Sequence, residues 1–284
     1  MKEHTHKRRS ARRVHWRGRR FVVCLALLLV TTTVVAQQFY RGFRGPVHTG
    51  VPPQHNGGFM FCRLKYDSNR REPGGQGWTT DYPNADNNYM LRLSQLTEAK
   101  VSRWDDQTMG FTTVSALDPL MFDCPFLFAS DVGTATFDEQ ESKNLRAYLL
   151  KGGFLWADDF WGEAAWQQWL GELQLIVPEY RMIDIGPGHP LFSIFYQVPE
   201  VPQIPSIQHW LRSGGATSER GAESATPDLR AVVDETGRIL VLMSHDTDIA
   251  DGWEREAENV DFFYKFTARA YGVGINVAVW AMSH

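Results

Sequence analysis

Twice in the middle of this chain a short apolar run stops at an aspartate and gives way to a helical pattern. The first run, Pro125-Phe126-Leu127-Phe128-Ala129-Ser130-Asp131, reads as a strand buried on both faces. Thr136-Phe137-Asp138-Glu139 has the form of a capping box, Leu145, Tyr148 and Leu149 make an inward stripe, and Gly152-Gly153 stops the helix. The second run, Phe154-Leu155-Trp156-Ala157, ends at Asp158-Asp159; Trp166, Trp169, Leu170 and Leu173 mark the next helix, and residues 180–185 the next strand. Continuous apolar strands alternating with helices predict an α/β fold with a mostly parallel sheet and helices on both faces.

The flanking segments extend this pattern. Residues 59–66 predict a first strand, and a long loop with Pro73-Gly74-Gly75-Gln76-Gly77-Trp78 follows it. Tyr89, Met90, Leu93 and Leu96 fall at helical spacing from Asp86, whose side chain suits a helix cap. Residues 186–212, with five prolines, predict a long ordered loop or lid, and the Ser-, Gly- and Ala-rich residues 213–227 a mobile one. Residues 229–234 and 238–243 flank Glu235-Thr236-Gly237 as a hairpin at the sheet edge. A last helix is expected over 254–271 with Phe262, Phe263, Phe266 and Ala270 inward, interrupted by Gly272 and Gly274 before residues 275–282. The glycine- and proline-rich residues 37–57 read as a flexible lead-in, leaving 58–284 as a single domain, with 10 Trp, 17 Phe and 9 Tyr in the chain to fill a core.

Charge separates the first 36 residues from the rest. They hold nine of the 29 Lys+Arg and only Glu3 of the 33 Asp+Glu, so 20 basic residues face 32 acidic ones in 37–284. That surplus argues against a nucleic-acid partner, which needs Lys and Arg to displace counterions. Basic residues before the apolar run from Phe21 to Val30, with Val34 and Ala36 ahead of the expected cut, are laid out as a secretory signal peptide over 1–36. A periplasmic or secreted protein is expected. The alternative is anchoring by uncleaved residues 21–36, the one way this chain would meet a membrane, although sixteen residues fall short of the roughly 20 that span a bilayer. Cys62 and Cys124 remain in the exported part, paired or unpaired.

In parallel sheets ligands bind beyond the carboxyl ends of the strands. The corresponding loops supply the candidate ligand-binding residues Trp78, Asp81, Asp131, Asp158, Asp159, Phe160, Trp161, His189, His245 and Asp246. Asp158 and Asp159 suit a cation or a sugar hydroxyl, with Phe160 and Trp161 stacking on a ring; otherwise one caps the next helix and the other faces water. Asp158, Asp159 and His189 are the candidate metal ligands. His189 in a Gly-His-Pro turn also suits a purely structural role. The run from Ser244 to Asp251 lacks the glycine and glutamate of an EF-hand and reads as a solvated turn. Gly74-Gly75-Gln76-Gly77 is followed by no Gly-Lys-[Ser/Thr], which points to a conformational role and not a phosphate loop.

Four segments carry a family resemblance: Phe61-x-Arg63-Leu64-x-Tyr66; Gly77-Trp78-x-Thr80-Asp81-Tyr82-Pro83-x-Ala85-Asp86; Leu149-x-x-Gly152-Gly153-Phe154-Leu155-x-x-Asp158-Asp159-Phe160; and His189-Pro190-Leu191-Phe192. Together they resemble the bacterial family called domain of unknown function 4159. That family is similar to the class I glutamine amidotransferase-like superfamily with its ThuA-like members, which implies a flavodoxin-like three-layer sandwich. The superfamily's Cys-His-Glu triad is not recognisable, because the strand at 154–157 runs into Asp158-Asp159 with no cysteine nucleophile. The expectation is an exported, non-catalytic domain that binds a small polar ligand, such as a carbohydrate, or a cell-envelope protein. The alternative is a metal-assisted hydrolase built on the carboxylates and His189. No organic cofactor is expected; a divalent cation is the one inorganic ligand these residues suit.

Overall fold

The two aspartate-ended runs lie side by side as parallel strands at the centre of a sheet. The computed structural model describes residues 47–284; the leader and residues 37–46 of the lead-in lie outside the described residues. β1 (Phe61–Lys65), β3 (Phe111–Ser115), β4 (Leu127–Ser130), β6 (Leu155–Phe160) and β9 (Ile239–His245) are parallel, in the order β3-β1-β4-β6-β9. Beyond β9, β8 (Asp228–Val233) pairs antiparallel with it and β7 (Arg181–Asp184) antiparallel with β8. A separate ribbon joins β2 (Asp67–Ser68) to β5 (Ala135–Thr136).

Because alternate side chains of a strand point to opposite faces, the sheet has two apolar cores. Phe61, Phe128, Trp156 and Leu242 share one core with Tyr89 and Leu93 of α1 (Asn84–Leu96), Trp253 of α5 (Asp251–Glu254), and the C-terminal helices α6 (Val260–Phe262) and α7 (Ala268–Ser283). Cys62, Leu127, Leu155 and Val241 share the other with Leu145 and Leu149 of α2 (Glu139–Leu150) and with Trp166, Trp169 and Leu173 of α3 (Gly162–Ile176). A disulfide between Cys62 and Cys124 ties β1 to the segment ahead of β4. The short α4 (Ile207–Arg212) lies in the connection from β7 to β8.

Several expectations are corrected. The capping box belongs to Asp138 and Glu141, two residues later than Thr136 and Glu139, and Thr136 lies in β5 instead. Asp86 caps nothing, because α1 begins at Asn84 and Asp86 turns into the core toward Arg63. The β8–β9 hairpin is not at the edge, since β7 covers it; the other edge is β3, whose Thr112-Thr113 centre masks its strand pattern. Residues 47–57 lie against the body: His48 accepts from the Thr113 amide, and Gln54 and Arg103 exchange backbone bonds. Residues 213–227 include a 3-10 turn (Gly221–Ser224). The C-terminal helix runs on from α6 through a π turn (Phe263–Thr267) into α7 with Gly272 and Gly274 inside it, and Phe263 faces outward.

Candidate functional site

At the carboxyl end of the sheet the backbone turns sharply at aspartates. Asp81, Asp131, Asp159 and Asp246 all adopt left-handed φ values between 55° and 62°. Aspartate tolerates this region better than most residues, yet such conformations cost on the order of 1 kcal/mol each and gather where the fold places side chains for a purpose. The ends of β4 and β6 are level, Ser130 opposite Asp158, and the β6–β9 register slips between Ala157 and Phe160. That irregularity turns Asp158 and Asp159 to different tasks.

Asp158 is fully buried and clamps the exit of β9: it accepts from the Ser244 hydroxyl and, at 3.0 Å, from the Ala250 amide. Asp159 accepts 3.0 Å from the Trp161 indole through one oxygen. Asp131 accepts 2.7 Å from the Gly77 amide. A Cβ on Gly75 would lie 2.2 Å from an Asp131 oxygen, so the glycine run exists to let backbone close around a carboxylate. Asp81 is brought in by Arg63, which is fully buried in β1. Its Nε lies 3.0 Å from both Asp86 oxygens and its Nη1 donates 2.8 Å to the Thr80 carbonyl, so a buried ion pair fixes the residue next to Asp81. Asp81 accepts from Ser130 Oγ at 3.2 Å.

The run from Ser244 to Asp251 is not a solvated turn. Asp246, Asp248 and Asp251 are all buried: Asp248 caps the Asp251 amide at 2.7 Å, and Asp251 accepts from the Ile207 amide at 2.9 Å. Two sets of carboxylates consequently converge. Ligand oxygens of Asp81, Asp159 and Asp248 lie within 4.8 Å of one another, and so do those of Asp81, Asp251 and Glu254. Crowding and desolvation hold protons on this group. Burial first, and then its acidic neighbours, push Asp159 and Asp248 well above the usual carboxylate range; burial raises Asp131 to about 7 and Glu254 to about 8. Asp81 rises less, to about 6, because the Arg63 and Arg255 charges oppose its burial.

The remaining sequence candidates lie elsewhere or act as supports. His189 is separate: its Nδ1 accepts from the Leu191 amide and its ring lies 5.0 Å from that of Trp280, so it shares no ligand set with Asp158 and Asp159. Phe160 is no stacking platform, being fully buried and parallel to Trp166. Trp161 is buried too and serves Asp159, while Trp78 is half-buried against Tyr82 with its carbonyl 3.3 Å from Arg63. Neither aspartate of the Asp158-Asp159 pair caps α3 or faces water. His245 sits between Asp228 and Asp246, 3.4 Å from each, and Asp246 accepts from the Gly162 amide that opens α3. Asp248, Asp251 and Glu254 join the site although none of them is among the candidates the sequence singles out. The three aspartates spaced around apolar Ile249-Ala250 were the available signal.

A family model described as domain of unknown function (DUF4159) matches residues 60–282, which spans both cores and every carboxylate above. The chain belongs to the DUF4159 family. No curated protein matches it. The DUF4159 match runs from the start of β1 into the last turn of α7, so the seven-stranded sheet and the carboxylate site fall inside one family unit.

Proposed function

We propose that this is an exported binding domain whose carboxylate pit takes a hard divalent cation and, through it, a small polar ligand. The observation that carries this reading is the mutual approach of Asp81, Asp159 and Asp248. Oxygens on opposite sides of a Ca²⁺ ion are about 4.6–5.2 Å apart, so three within 4.8 Å suit a single ion. An all-oxygen donor set favours Ca²⁺, Mg²⁺ or Mn²⁺ over softer metals. A cation would also offset the mutual repulsion that burial imposes on this group. Export is supported by the signal-like leader and by the Cys62–Cys124 disulfide, which is characteristic of oxidising compartments. The five parallel strands, counted along the chain, lie in the order 2-1-3-4-5, which supports a flavodoxin-like sandwich and a kinship with the amidotransferase-like, ThuA-like superfamily.

A metal-assisted hydrolase is the second reading. It is favoured by Asp131, whose carboxyl burial pushes up to about 7, a range that suits a general base. Its members would be the pit carboxylates, without His189.

The test is the unfolding temperature in EDTA and then in Ca²⁺, Mg²⁺ or Mn²⁺, since a ligand that binds only the folded state raises it. A rise of several degrees that disappears in Asp159→Asn is expected. No rise with any of the three ions defeats the cation reading, and hydrolysis of an ester or phosphoester panel by the ion-loaded protein, lost in Asp131→Asn, would favour the second.

A further inference from the structure

Between α4 and β8 the chain lies against the loops that carry Gly74 and Gly162, next to Asp131 and Asp159. Glu219 Oε2 lies 3.9 Å from where a Cβ would stand on Gly74, and Glu223 Oε1 lies 3.0 Å from the same point on Gly162. The attachment is polar throughout. Arg220 Nη2 sits 3.4 Å from both Glu72 Oε2 and the Pro73 carbonyl; Glu223 accepts 2.8 Å from the Glu163 amide; Thr217 donates 2.7 Å to Gln203. No residue from 213 to 223 is buried, whereas Ser224, where the segment rejoins the body, is fully so. A segment with no buried apolar side chain opens at a small fraction of the global unfolding free energy.

We propose that residues 213–223 are a strap that opens and closes over the carboxylate pit, latched by Arg220 on Glu72 and Pro73. What the strap closes over rests on the cation reading; that it opens does not. Closing holds Glu219 near the crowded carboxylates, and Asp159 lies close enough to feel its charge. Once these carboxyls ionise, repulsion favours the open strap, and a bound cation, which displaces their protons, favours the closed one, because a ligand shifts a conformational equilibrium only through a difference in its interaction with the two states.

Amide hydrogen exchange of the full chain, followed by mass spectrometry in EDTA and in Ca²⁺, tests this. In EDTA residues 213–223 should exchange at least about tenfold faster than β4 and β6. Arg220→Ala should accelerate them a further two- to fivefold or so, as loss of one partly buried ion pair implies, and leave β4 and β6 unchanged. Glu72→Gln, which keeps the side-chain shape, should act in the same direction. Ca²⁺ should slow the strap in the wild-type protein. Protection of the strap equal to that of β6, or a strap that neither variant accelerates apart from the core, overturns the inference. Acceleration by both variants with no response to Ca²⁺ keeps the strap and overturns the cation reading.

Discussion

Arg63 carries a positive charge into the buried interior beside β1, and the loss of its hydration is offset by Asp86 and by the carbonyls of Trp78 and Thr80. Removing only the arginine leaves Asp86 buried without a partner. Arg63→Met should therefore cost about 3–5 kcal/mol, which for a domain of this size lowers the unfolding temperature by roughly 10 °C. Arg63→Met combined with Asp86→Leu should recover much of that loss, because a buried pair exchanged for apolar residues of similar bulk is often neutral. The Thr80 carbonyl still lacks its donor in the double variant, so the cation-induced rise should stay diminished. Scanning calorimetry with and without Ca²⁺ checks both halves, and a full rise in the double variant would show that Arg63 does not position Asp81. Residues of this kind mark how far the site was legible. Asp131 and Asp159 stood out because each follows a run too apolar to be anything but a buried strand. Asp248 and Asp251 did not, since what buries them is distant in sequence: the Ile204 carbonyl takes the Asp248 amide, and the Ile207 amide binds Asp251. Glu219 and Glu254 stand in polar surroundings that carry no local signal.

Among the elements, the C-terminal helix shows why glycine misleads. Gly272 and Gly274 look like helix breakers, but both lie inside α7, and only the second answers a packing need. A Cβ on Gly274 would stand 2.6 Å from Trp253 Cζ2 and 2.8 Å from Tyr89 Cε2, so its absence lets α5 and α1 pack directly on α7. At Gly272 the nearest atom is Val198 Cγ2 at 3.6 Å, an ordinary contact. Gly274→Ala should thus destabilise by about 1–3 kcal/mol through overpacking, while Gly272→Ala should be neutral or stabilise by up to about 1 kcal/mol through helix propensity. Urea unfolding of the two variants decides it, and equal effects would refute the packing account. The same limit applied to the sheet. β4, β6 and the helices between and after them were legible because burial on both faces and helical stripes are local patterns. The position of β7 was not, because its strand pattern names no partner: it crosses to the far edge and pairs with β8. β3 was hidden by Thr112 and Thr113, polar residues whose burial is decided by neighbours from other parts of the chain.

For the molecule as a whole, the pit sets the dependence of stability on pH. Carboxyls in an unfolded chain titrate near 4. In the folded protein burial raises Asp81 to about 6, Asp131 and Asp158 to about 7 and Glu254 to about 8, and it pushes Asp159, Asp248 and Asp251 well above the usual carboxylate range. Between these limits the folded state binds more protons than the unfolded one, so the stability that these groups contribute is fully present below about pH 4 and is lost as pH rises through 6 to 8. The carboxylates held below the usual range, the exposed Asp105, Glu139 and Glu179 and the half-buried Asp234, act in the opposite sense but finish titrating below about pH 5. In EDTA the unfolding temperature should therefore fall from pH 5 to pH 8. With saturating Ca²⁺ the fall should flatten or reverse, because an ion competes with protons for the same oxygens and binds more tightly as they leave. Asp159→Asn should shallow the slope in EDTA and remove most of the response to Ca²⁺. An unfolding temperature that rises from pH 5 to pH 8 in EDTA would mean that the carboxylates are ionised and compensated in the folded protein. The pit would then be a finished piece of structural packing, with no charge left for a ligand to balance.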